Sequence, residues 1–164
     1  MPVIQPQTLS QTLVDNHLAT PDVIAPCTPE DISAIESKYF VKLPRTYKDF
    51  LLAVGRSSNK IFSDVILMYP AICDVDDVIK STLGDFQPPS SAFIFVLHND
   101  TVLYFTTSEG DDPPIYRFTQ GDEAAEEVFP SFSSWLSDYI LGEIQMQKNI
   151  EELDRRADAR RPSQ

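Results

Sequence analysis

Apolar positions recur with two periods along the chain, and the helical one is clearest between Thr28 and Gly55. Ile32, Ile35 and Tyr39 follow at i, i+3, i+7, with Glu30, Asp31, Glu36 and Lys38 largely off that stripe, which predicts a helix near 29–40. Thr28 is a hydroxyl cap, Pro29 sits where a missing N–H costs nothing, and Asp31 makes a near-capping box. Leu43 before Pro44 is pushed toward extended backbone, so the chain turns there and a second helix opens near 44–54. Its apolar face is Tyr47, Phe50, Leu51 and Val54, and Gly55 is expected to supply a left-handed stop. Ahead of this pair, Leu9 and Leu13, with His17 or Leu18, predict a leading helix near 7–19, ended by Pro21 and Pro26.

The remaining pattern alternates between strands and helices. IFSDVILMYP predicts a strand near 61–69, closed by Pro70. Val75, Val78 and Ile79 predict a short helix near 74–82, with Asp74, Asp76 and Asp77 at its start, where the helix dipole favours carboxylates. The run AFIFVLHNDTVLYFTTSEG predicts a hairpin: a wholly apolar strand near 92–97, a His98-Asn99-Asp100 turn, and a return strand near 101–107. A further strand follows near 115–118, after the turn SEGDDPP. Ser131 then caps a helix near 131–153, carried by Phe132, Trp135, Leu136, Tyr139 and Ile140 and thinning to Ile144, Ile150 and Leu153. These elements predict an α+β fold, a central mainly antiparallel sheet flanked by helices, which 164 residues suffice to build around one core. The expected divisions are a leading helix and connector over 1–27, the main domain over 28–141, and a helical extension with a charged tail over 142–164.

An acidic helix ending in an aromatic, followed by x-L-P-x-x-Y-x-x-F-L-x-x-x-G, resembles the opening signature of the SUKH superfamily of Smi/Knr-like domains. The residues that carry it are Ile35, Glu36, Leu43, Pro44, Tyr47, Phe50, Leu51 and Gly55. Further along, Gly110, Asp111, Asp112, Ile115 and Tyr116 are similar to the family's acidic turn before an (I/V)-Y-x strand. Ser131, Phe132, Trp135 and Leu136 are similar to its closing helix, so the resemblance spans about 28–140. One departure is the first hairpin turn, where many members have a Gly-rich insertion and this chain has only His-Asn-Asp.

Charge sharpens the picture once it is located. The net charge is −12, yet residues 1–63 hold six acids and six bases, and residues 128–164 hold six and five. Residues 64–127 hold thirteen acids against only Lys80 and Arg117, a net −11. Such a sector argues against nucleic acid or an anionic membrane as partner. The N-terminus has neither the basic region nor the apolar run of a secretory signal, and no stretch is apolar for a membrane-spanning length, so a cytoplasmic location is expected. Cys27 and Cys73 have no metal-site spacing and are expected as reduced thiols.

Candidate chemistry is thin. There is no Gly-rich phosphate loop, no GxSxG and no HExxH. A Cys73–His98–Asp100 set can be written down, but nothing in the spacing brings base to nucleophile. Asp74, Asp76 and Asp77 lack a second acidic or His motif, so the helix-start reading stands and no metal or cofactor is expected. A non-enzymatic binding protein is therefore expected. The resemblance implies immunity: a protein that binds and blocks a cognate polymorphic or contact-delivered toxin, such as a nuclease or deaminase. An acidic face suits the basic cleft of such an enzyme, and Glu109, Asp111, Asp112, Asp122, Glu123, Glu126 and Glu127 are the candidate toxin-binding residues. The alternative is a non-catalytic regulatory scaffold of the Smi/Knr type.

Overall fold

The computed structural model describes residues 3–58, 61–62 and 68–160. A turn of 3-10 helix, Pro6–Thr8, leads into α1 (Leu9–Asp15), then β1 (Ile24–Ala25), α2 (Pro29–Tyr39), α3 (Arg45–Val54) and β2 (Ser57–Ser58). After α4 (Asp76–Leu83) come β3 (Ala92–His98), β4 (Thr101–Thr106), β5 (Ile115–Thr119), β6 (Glu126–Phe129) and α5 (Phe132–Ala159). Strands β3-β4-β5-β6 form one antiparallel meander in chain order, while β1 and β2 pair separately. The expected α+β architecture, antiparallel sheets flanked by helices, is the one observed.

Local chemistry explains the frame. Thr28 and Asp31 close a full capping box, with Thr28 N–H donating to Asp31 at 2.9 Å and Asp31 N–H donating to Thr28 Oγ1 at 3.2 Å. The Asp31 carboxylate is buried and also accepts two hydrogen bonds from the Arg56 guanidinium, at 2.7 and 2.6 Å. That fork, and then the Thr28 N–H, hold its carboxyl below the ordinary range. Tyr47 on α3 stands at the centre of the core, its ring 5.1 Å from Phe105, 5.4 Å from Phe132 and 5.5 Å from Phe93. Sheet, α3 and α5 thus meet on one aromatic cluster, with Phe95 and Trp135 stacked edge-on at 4.9 Å beside it.

Several expectations are corrected. Gly55 is right-handed (φ −63), so it gives no left-handed stop. It is needed for room: a Cβ there would lie 2.5 Å from Cys27 Sγ and 2.6 Å from the Leu51 carbonyl oxygen. The left-handed residue is Phe40 (φ 54), which ends α2 and stands 93% exposed. The leading helix stops at Asp15, because His17 is left-handed (φ 58), although Leu9 and Leu13 are buried as their spacing implies. Of the strand expected near 61–69, Ile61 and Phe62 form a turn and residues 63–67 lie outside the described residues. On α4, Val78 points to solvent, and Thr82 is buried instead. His98 ends β3 opposite Thr101, leaving Asn99 and Asp100 as the two-residue turn, with Asn99 at φ 52. Strand β6 was not foreseen, and α5 runs unbroken to Ala159.

Candidate functional site

The seven acidic residues singled out from sequence lie on two connectors and one edge strand of the meander. Asp111 and Asp112 belong to the β4–β5 loop, which Gly110 turns at φ +95. The Asp111 carbonyl accepts from Thr46 N–H at 3.0 Å and from the Thr46 hydroxyl at 2.8 Å, tying the loop to the start of α3. The Asp112 carboxylate accepts from the Ser133 N–H at 2.9 Å and the Ser133 hydroxyl at 2.5 Å. It thereby caps the first turn of α5 alongside Ser131, placing negative charge where the helix dipole favours it. The Asp112 carboxylate and the Asp111 backbone thus hold the loop to the domain, while the Asp111 carboxylate is exposed.

Glu109 accepts from Thr106 Oγ1 and, at 3.0 Å, from the Tyr116 hydroxyl. Burial, then the hydrogen bond and charge of Glu109, push the Tyr116 phenol up to about 12. Tyr116 stacks on Tyr104 with ring centroids 5.3 Å apart. Register places Tyr104 opposite Tyr116 and Tyr116 opposite Glu127, so these three side chains form a row across β4, β5 and β6. Arg117 faces Glu126 in the adjacent register position, and the two form an ion pair. Strand alternation puts that pair on the opposite face from Glu127. Glu126 is thus neutralised by one of the sector's two bases, whereas Glu127 stands exposed beside an aromatic pair.

The β5–β6 turn is closed by Asp122, whose carboxylate accepts the Thr119 N–H at 2.9 Å, with Gly121 at φ +98. Next to it lies a hollow of about 360 Å³. Its floor is Phe86 stacked on Phe118, centroids 4.1 Å apart and nearly parallel, and its rim carries Asp85, Asp122 and Glu123. Sequence reasoning passed over Asp85 and Phe86. The available signal was Phe118, an apolar residue on the same strand face as Tyr116, which needs a cover. An acidic rim above an aromatic floor suits a cationic side chain from a partner.

Other candidate groups have structural roles. Asp76 at the start of α4 pairs with Lys38 at 2.9 Å and accepts from the Tyr39 hydroxyl at 3.1 Å, as befits a helix-start acid. Cys27 is buried, and burial pushes its thiol up to about 11; burial and Asp74 also raise the Cys73 thiol, which disfavours the nucleophilic thiolate. His98 is exposed, with Nε2 3.1 Å from Asn99 Nδ2. Among the described residues, no group of three or more His, Cys, Asp or Glu is arranged to hold a metal ion, and no helix is long and apolar enough to cross a membrane.

The family model described as SMI1 / KNR4 family (SUKH-1) matches residues 26–138, well over half of the chain. The match runs from the connector before α2 into α5, and so includes the whole meander and all seven acids. No curated protein matches the chain.

Proposed function

Proceeding from a chain that belongs to the SMI1/KNR4 (SUKH-1) family, whose members serve toxin-neutralising or regulatory interactions and are typically non-catalytic, we propose that this protein is an immunity protein. It binds the toxic domain of a cognate polymorphic or contact-delivered toxin in the cytoplasm and blocks it by occupying a basic substrate cleft. A nuclease or deaminase cleft is the kind of target that fits, because such enzymes hold a polyanion or nucleotide with cationic side chains.

The observation that carries this reading is the disposition of the middle third's charge. Thirteen acids face two bases there, and the fold itself employs only some of them. Asp112 and Asp122 serve a cap and a turn, Glu126 has Arg117, and Glu109 holds Tyr116. The carboxylates of Asp111, Glu123 and Glu127 remain on the surface, the last two near the Phe86–Phe118 hollow and the Tyr104–Tyr116 pair respectively. Phe118 and Tyr104 are buried, and the half-buried rings of Phe86 and Tyr116 next to carboxylates supply both apolar contact and electrostatic steering toward a cationic partner.

The test reverses charge where the fold has no stake. In Glu123→Lys/Glu127→Lys, association with the toxic domain is expected to slow by about tenfold at low salt. Full neutralisation by that variant, at the rate of the parent protein, would remove the acidic surface from the account.

A further inference from the structure

Helix α5 is 28 residues long, but the rest of the domain covers only its first half. Trp135 is buried and Tyr139 half-buried in the core, and from them one stripe continues at alternating steps of four and three: Glu143, Met146, Ile150, Leu153, Ala157. That is the heptad spacing of a two-helix seam. Met146, Ile150 and Leu153 are 51%, 47% and 64% exposed. They are three of the seven large apolar side chains most exposed among the described residues, and they share one line on one helix. On a neighbouring face, His17 Nδ1 lies 3.3 Å from Glu151 Oε1, so the end of α1 flanks the projecting half and leaves the stripe open.

We propose that this stripe is a homodimer seam, on which the same segment of a second copy of the chain lies antiparallel. The register follows from the side chains. With the crossing centred between Glu151 and Glu152, Ile150 packs on Leu153 of the second copy, Met146 on its Ala157, and Glu143 meets its Arg160. The flanking positions then match as well, Gln147 with Asp154 and Asn149 with Arg156 of the second copy. A parallel pairing would set Glu143 against Glu143 and place the two domain bodies side by side at one end. The antiparallel one brings opposite charges together and separates the bodies. Residues 143–160 hold five acids and four bases, so two such segments meet without the repulsion that two middle thirds would suffer. The overlap of seventeen residue steps is about 26 Å at 1.5 Å per residue, under three heptads, which makes for a weak, concentration-dependent dimer.

Sedimentation of the full chain reads this directly. Between about 5 and 500 µM the parent protein is expected to shift from one to two chain masses, while Ile150→Asp/Leu153→Asp stays at one mass with unchanged helical circular dichroism. A parent chain of single mass throughout, or a variant that dimerises equally, overturns the proposal. Cysteine cross-linking in a Cys73→Ser background tests the register. Ile150→Cys mixed with Leu153→Cys is expected to give the mixed disulfide in preference to either self-linked pair. Efficient self-linking of each variant alone would mean a parallel seam and contradict the arrangement.

Discussion

Residues 1–63 and residues 64–127 use the same carboxylates for different ends. The first stretch has six acids and six bases, and most of the acids are tied down. Asp31 is locked in the Arg56 fork, Glu36 accepts from Leu43 N–H at 2.8 Å and Lys42 at 3.2 Å, and Asp49 accepts from Gln7 at 2.6 Å. Here charge is a fastening for the α2–α3 corner. The second stretch has thirteen acids and only Lys80 and Arg117 of its own; Asp76 borrows Lys38 from the first, and once caps and turns are served the described surplus, such as Glu123 and Glu127, stays on the surface. Keeping like charges together costs self-repulsion, which a structural role does not require and a binding role repays.

That contrast can be broken most severely at Gly55. Replacing it with alanine drives a methyl into Cys27 Sγ and the Leu51 carbonyl, of which the carbonyl is backbone and cannot give way. A loss of about 3 kcal/mol, read by denaturant unfolding, is expected. Next comes Asp112→Ala, which strips a cap from α5 and is expected to cost about 1–2 kcal/mol in spite of lying in the acidic sector. Tyr47→Phe runs the other way. Its hydroxyl is fully buried without a hydrogen-bond partner among the described residues, so removing it is expected to stabilise the protein by about 1 kcal/mol in the same assay. The smallest effect belongs to Glu123→Lys/Glu127→Lys, within about 0.5 kcal/mol of the parent. If that pair proves as costly as Asp112→Ala, the division between fastening and surface acids fails.

The same division explains which features were legible in the sequence. The capping box at Thr28 and Asp31, the stripes of α2, α3 and α5, and the β3–β4 hairpin depend on neighbours within a few residues, and pattern alone exposes them. Gly55 was misread because a glycine after a helix usually signals left-handed backbone, whereas here the Cys27 segment crosses close by, a long-range contact. Strand β6 was hidden because Glu126 and Glu127 have poor strand propensity; register against Arg117 and Tyr116 is what holds them there. Val78 fits a helical stripe, but α4 presents Thr82 to the sheet side instead. For the candidate site, composition located the charge, yet could not tell Asp112, a cap twenty-one residues from Ser133, from Glu127, a surface group. Asp85 and Phe86 escaped notice because their place on the hollow depends on Phe118 across the fold.

The most direct measurement is a titration of the purified protein with the toxic domain proposed as its partner, at about 50 and 300 mM salt. A one-to-one complex is expected, with affinity falling at least about tenfold across that range and falling again in Glu123→Lys/Glu127→Lys. No association at the lower salt, or binding indifferent to both salt and charge reversal, would contradict the account.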